Sequence, residues 1–195
     1  MKHYFSEKQE APFRLKKITA VLQRRAFEFF TAPGVFSKSR VDKGTELLAN
    51  SMQIKENAKV LDMGCGIGIL GIVAAKVFNA DVILVDINER AISLAKQNAK
   101  LNSVKAEIRK SNLYENVQEK FDAIIVNPPQ KAGKKVCHAI IEQALQHLNT
   151  GGILQLVARH NKGGSSLSKK MQAVFGNVQE LAKQSGYRVY CSKKA

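Results

Sequence analysis

The segment Val60-Leu61-Asp62-Met63-Gly64-Cys65-Gly66-Ile67-Gly68 constrains the fold more than any other stretch, because it runs from an apolar strand through an acid and three spaced glycines into a helical run. A strand apolar on both faces needs cover on both faces, which is the situation of a parallel sheet. Glycines after such a strand let the backbone turn tightly and approach a ligand, while the free amides of the following helix point toward it. The same alternation recurs downstream. Strands are expected at Lys59 to Met63, Asp81 to Asp86, Lys105 to Lys110, Phe121 to Asn127 and Gly152 to Ala158. Helices are expected at Leu70 to Phe78, Glu89 to Leu101 and Lys134 to Leu148, then at Leu167 to Phe175 before a closing strand pair, Val178 to Lys183 and Tyr187 to Ser192. This pattern predicts an α/β fold with a mostly parallel sheet between helical layers. Ahead of it, residues 14–31 alternate as a β-hairpin turning near Arg24 and Arg25, Pro33-Gly34 breaks it, and Asp42 to Met52 reads as a helix. The expected organisation is an N-terminal extension, 1–50, on a single α/β domain, 51–195; 195 residues with 45% hydrophobic content suffice for one core.

The glycine turn points to a nucleoside cofactor. Asp86 ends the next strand, where a carboxylate can accept both hydroxyls of a ribose. Taken alone, Gly66-x-Gly68-x-x-Gly71 with Asp86 at this distance also fits a dinucleotide site, and a purely structural role, with Asp86 capping the helix near Glu89, is open too. Cys65 reads as buried filler within the turn.

The Asn127-Pro128-Pro129-Gln130 sequence after the fourth core strand is what hydride transfer does not explain. An exocyclic amine on a base is a poor nucleophile because its lone pair is delocalised into the ring. An Asn side-chain oxygen and a Pro128 carbonyl held rigid by two prolines can each accept one N–H, drawing the nitrogen toward tetrahedral geometry. Glycine turn and amide site together point to methyl transfer from S-adenosyl-L-methionine.

Lys and Arg number 31 against 16 acids, a formal charge of +15 spread along the chain, which favours a polyanionic partner, nucleic acid before membrane. Arg14, Lys16, Lys17, Arg24 and Arg25 on the hairpin, with Lys131, Lys134 and Lys135 beside the amide site, are the candidate phosphate contacts. The three cysteines form no Cys-x-x-Cys pair and the four histidines have no metal-ligand spacing, so a disulfide framework and a metal site are both unexpected. Without an apolar leader or a run of about 20 apolar residues, a cytoplasmic protein is expected.

At these motifs the chain resembles class I S-adenosylmethionine-dependent methyltransferases, and more narrowly the small-domain family that includes ribosomal RNA guanine-N2 methyltransferases and compact archaeal relatives. Gly34-Val35-Phe36-Ser37 with Val41-Asp42-Lys43-Gly44, Ala95-Lys96-Gln97-Asn98-Ala99 and Gly186-Tyr187-Arg188-Val189 extend the likeness over nearly the whole chain. The resemblance implies a Rossmann-like sheet of seven strands ordered 3-2-1-4-5-7-6, only the seventh antiparallel, with helices on both faces. It implies a cofactor held by Asp62, Gly64, Cys65, Gly66 and Gly68, with Asp86 and Ile87 at its ribose, Asn112 and Leu113 at its adenine and Asn127 at its methyl end. Asn127, Pro128 and Pro129 would be catalytic, and Phe36, Gln130, Lys131, Arg24 and Arg25 would meet an RNA substrate, with guanine N2 of small-subunit ribosomal RNA as the expected acceptor. Two residues depart from the family pattern: Asn112 stands where an Asp is usual, and Gln130 where many amino methyltransferases have an aromatic residue that stacks on the base. Adenine or a protein glutamine as acceptor, and a noncatalytic RNA-binding module, are the alternatives.

Overall fold

The computed structural model describes residues 15–35, 40–129 and 133–195. Two strands, β1 (Lys16–Leu22) and β2 (Arg25–Thr31), form an antiparallel hairpin closed by Gln23 and Arg24, and helix α1 (Lys43–Ser51) follows. The body then alternates: β3 (Lys59–Met63), α2 (Ile69–Phe78), β4 (Asp81–Asp86), α3 (Glu89–Leu101), β5 (Glu107–Lys110), β6 (Phe121–Val126), α4 (Lys134–His147), β7 (Leu148–Arg159), α5 (Gly164–Phe175), β8 (Gln179–Gln184) and β9 (Tyr187–Lys193). The seven strands β3 to β9 make one sheet in the order β5-β4-β3-β6-β7-β9-β8, with β9 antiparallel to both neighbours. Renumbered from β3, this is the 3-2-1-4-5-7-6 order expected from the resemblance.

The central strands are buried on both faces, as their unbroken apolar runs require. One face carries α1, α2 and α3 over Val60, Leu84, Ala123, Ile125 and Val157; the other carries α4 and α5 over Leu61, Ile124, Val126, Leu154 and Leu156. Gly71 lets α2 lie close on β4, since a Cβ there would stand 2.7 Å from Leu84. Gln155, fully buried in β7, is satisfied by the backbone of Gln53: its Oε1 accepts from the Gln53 N–H at 2.7 Å, and its Nε2 donates to the Gln53 carbonyl at 3.0 Å. That exchange anchors the segment joining α1 to β3.

The hairpin is fastened by asparagines. Asn98 accepts from the Phe30 N–H at 2.6 Å and donates to its carbonyl at 3.0 Å, and Asn102, one helical turn on, does the same for Glu28 at 3.4 and 2.7 Å. The side chains of Asn98 in α3 and of its C-cap Asn102 thus replace a neighbouring strand along the β2 edge. Asn98 also donates to the Ile67 carbonyl at 2.9 Å, tying the hairpin to the glycine turn.

Candidate active site

The chain order reverses direction across the sheet between β3 and β6, and the crevice outside the carboxyl ends of such strands is where open α/β sheets hold ligands. Met63 pairs with Val126, so Gly64 and Asn127 leave the sheet side by side. Beyond β3 stands the end of β4, with Asp86 level with Lys110 of β5. Beyond β6 stands the end of β7, where Arg159 pairs with Tyr187 of β9.

The glycines divide the work of the turn. Gly64 has a φ of +70° and open space where a Cβ would be, and it is exposed. Gly66 uses its N–H on the Asp86 carboxylate at 2.8 Å. Gly68, with φ +88°, has Ala95, Ile72 and Leu84 at 3.2 Å from its Cβ position, so it serves the entry of α2. Cys65 is buried, as expected of filler, and its N–H donates to the Val85 carbonyl at 2.9 Å.

Asp62, a cofactor-contact candidate on sequence grounds, is 1% exposed, and its carboxylate accepts from the Gly71 N–H at 2.8 Å. It therefore braces the turn from beneath. Burial pushes it up to about 7, against the pull of the Gly71 amide, with the nearby Asp86 charge adding to the rise. Asp86 accepts from Gly66 and, at 2.9 Å, from the Asn88 N–H; burial raises its pKa, opposed by the amides of Asn88, Gly66 and Ile87. Capping of α3 falls to Asn88, whose side chain accepts from Arg90 and Ala91. Asp86 is thus free of that structural duty and keeps further lone pairs at the crevice. Asn112 is exposed and donates its amide N–H to Glu115 at 2.7 Å, which leaves Oδ1 as its acceptor; Leu113 beside it has a φ of +51°.

Asn127 is held by α1. Its Nδ2 donates to Thr45 Oγ1 at 2.9 Å and to Asp42 Oδ2 at 3.3 Å. Asp42 is the N-cap of α1, the same Oδ2 accepting from the amides of Gly44 and Thr45 at 2.9 and 3.2 Å. A carboxylate can only accept here, so the amide orientation is fixed, with Nδ2 committed to α1 and Oδ1 available to an incoming donor. Neither partner was singled out for chemistry by the sequence, where Asp42 and Thr45 lie 85 and 82 residues from Asn127. Pro128 and Pro129 follow at the crevice.

Arg24 and Arg25 are not brought to this place. Both are exposed at the hairpin tip, where Arg25 donates to the Lys76 carbonyl near the end of α2, and Gln23 bonds to Ala49 and Asn50 at the end of α1. Asn127 meets the first turn of α1 and the hairpin tip its last, so the length of this nine-residue helix, about 14 Å, separates them. Phe36, Gln130, Lys131 and Arg14 fall outside the described residues. Among the described residues no cluster of His, Cys, Asp or Glu could hold a metal ion, and no helix is long and apolar enough to cross a membrane.

Comparison with known proteins places the fold and the family. The Bacillus subtilis (strain 168) protein YbxB is 37% identical over 197 residues, covering 98% of both chains. A Haemophilus influenzae (strain PittGG) ribosomal RNA small subunit methyltransferase C is 33% identical over 199 residues, covering 98% of this chain and 59% of its own. The structure of a T. thermophilus 16S rRNA guanine-N2 methyltransferase in complex with AdoMet and guanosine superposes with a TM-score of 0.84 at 26% identity, over 96% of this chain and 52% of that one. The chain thus spans little more than half the length of these two enzymes. Residues 26–191 match the family model of the methyltransferase small domain, which takes in the hairpin's second strand, the glycine turn and the Asn127 site together. The chain belongs to the methyltransferase small domain family.

Proposed function

We propose that this chain is an S-adenosylmethionine-dependent methyltransferase acting on an exocyclic base amine of RNA, with guanine N2 of small-subunit ribosomal RNA as acceptor. The observation that carries the reading is the fixed Asn127 amide, its nitrogen bound to Asp42 and Thr45, standing beside the open approach at Gly64. The names of the relatives supply the acceptor: one acts on small-subunit ribosomal RNA, and another was determined with AdoMet and guanosine.

The crevice residues fit the cofactor. Gly64 offers bare backbone with open space before it, Asp86 with Ile87 suits ribose hydroxyls, and the Asn112 oxygen with Leu113 suits the adenine. When bound, the cofactor supplies an electrophilic methyl group on a sulfonium. Asn127 Oδ1 and the Pro128 carbonyl accept the two N–H bonds of the base amine, concentrating its lone pair on nitrogen. As positive charge develops on that nitrogen both bonds strengthen, so they act in the transition state more than in the ground state. The proton leaves after attack, and no basic side chain is needed. Residues 1–50 would serve as the RNA-facing extension and 51–195 as the catalytic body, with Arg24, Arg25 and Lys131 on phosphates, and Phe36 and Gln130 near the base.

The test is transfer of labelled methyl from S-adenosylmethionine to ribosomal RNA, followed by nucleoside analysis. Label in N2-methylguanosine supports the reading. Label on adenine or on protein supports another acceptor, and cofactor binding without transfer supports a noncatalytic RNA-binding module.

A further inference from the structure

Gln130 is not aromatic, yet a planar group stands on the next two strands, β7 and β9. Arg159, at the end of β7, lies with its guanidinium carbon 5.0 Å from the centroid of the Tyr187 ring on β9. Both share a face of the sheet with Asn127. Val126 and Leu156 are paired and belong to the core under α4 and α5, so Asn127, Val157 and Arg159, an odd number of residues on, face α1. Tyr187 packs on the same side, against the core that contains Val157 and Val189. Val126 pairs with Leu156, so Asn127 leaves the sheet beside Val157, and Arg159 stands two residues further along that neighbouring strand.

The pair is built to stay in place. The Tyr187 ring is seated against Gly44, where a Cβ would stand 2.9 Å from Cε1 and 3.0 Å from Cδ1. Gly44 belongs to the same first turn of α1 that holds Asn127 through Asp42 and Thr45. Beneath the arginine, the His160 N–H donates to the Gly186 carbonyl at 3.0 Å and closes the β7–β9 end. Arg159 itself is exposed, and among the described residues no carboxylate pairs with it. The guanidinium lies over the Tyr187 ring, and the exposed Arg159 stands on the face of the sheet that carries Asn127. Guanidinium planes and aromatic rings are the surfaces on which unstacked RNA bases lie.

We propose that Arg159, held over the Tyr187 ring that packs on Gly44, is the stacking platform for the target purine, doing the work of the aromatic residue that Gln130 does not supply. The inference rests on the acceptor being a base amine. It gives α1 a double role, since its first turn sets both the acceptor for the amine and the plane on which the ring lies.

Guanosine is the probe, because it has the base without a phosphate and so separates stacking from charge attraction. Its affinity would be measured by NMR titration in saturating S-adenosylhomocysteine, alongside thermal midpoints and S-adenosylhomocysteine affinities for every variant. Arg159→Ala is expected to weaken guanosine about tenfold, within the range for loss of one stacking partner, with midpoint and cofactor affinity little changed. Arg159→Lys keeps the charge without the plane and should lose nearly as much, whereas Tyr187→Phe should bind as wild type does. Guanosine binding unchanged in Arg159→Ala, or restored by lysine, overturns the platform while leaving the acceptor reading intact. A wild-type protein that binds S-adenosylhomocysteine but no guanosine overturns the acceptor reading, and the platform with it.

Discussion

At the scale of single residues, the role proposed for Asn127 rests on which end of its amide is already engaged. Removing it should lower single-turnover methylation by about 10²–10³, the usual loss for one preorganised transition-state partner, while cofactor affinity stays near wild type. Near-normal turnover in Asn127→Ala would take the residue out of the mechanism. Thr45→Val removes the 2.9 Å acceptor and keeps the shape; one neutral hydrogen bond of about 1 kcal/mol corresponds to roughly a fivefold loss in kcat, with little change in KM. Asp62 sets a different expectation. Its pKa is raised from 3.8 to about 7 by burial, so the folded protein holds a proton that the unfolded chain releases. The resulting stability is fully present below about pH 4 and is lost as pH rises through about 7. Asp62→Asn still offers an oxygen to the Gly71 amide and should lack this decline, a contrast visible in thermal midpoints at pH 5.5 and 8. Parallel pH curves for the two proteins would contradict a proton on Asp62. The amide motif, Asp86 and the glycines were legible because each is a local pattern. Asp42 and Thr45 were not, because their partnership with Asn127 exists only once α1 crosses the end of β6.

At the scale of elements, α3 works as a fastener as much as a layer of the sheet. Loss of the Asn98 side chain would leave the Phe30 N–H and carbonyl and the Ile67 carbonyl without their partner, each costing about 1–3 kcal/mol where water cannot replace it. Asn98→Ala should therefore free the hairpin before the body unfolds, seen as faster hydrogen exchange in β2 than in β3 or β6. Uniform acceleration across all strands would mean that the hairpin and body open as one unit. The hairpin itself was expected from alternation, although Gln23 and Arg24 adopt φ values of 49° and 60° without the usual Asn-Gly. The sequence reading also set the fifth core strand at Gly152, whereas β7 begins at Leu148. Phe121 pairs with Leu148 and Ala123 with Ile153, so an irregularity in the register absorbs residues 149–152, glycines included, as part of the strand. The asparagine ladder left no periodic signal, because polar residues on a helix read as solvent-facing until a strand edge is found beside them.

At the scale of the whole molecule, a charge of +15 and two exposed arginines at a hairpin tip beside the far ends of α1 and α2 describe an extended footprint. RNA binding should weaken steeply with salt as counterions are released, and charge reversal at Arg24 and Arg25 should flatten that dependence without touching cofactor affinity. An unchanged slope in a folded variant would confine the footprint to the crevice side. The succession of strands and helices was readable because each carries its own period, and the strand order followed from the family resemblance, with the Gly and Asn motifs marking the strand ends at the switch point. The position of the arginines was not, because a two-strand hairpin can point either way until its packing on α3 fixes it. The most direct measurement is nucleoside analysis of ribosomal RNA after reaction with S-adenosylmethionine, wild type beside Asn127→Ala. The expected result is N2-methylguanosine with wild type and about 10²–10³ less with the variant at equal cofactor binding. Methyl groups on another nucleoside, or equal yields from the two proteins, would contradict an Asn127-centred guanine-N2 methyltransferase.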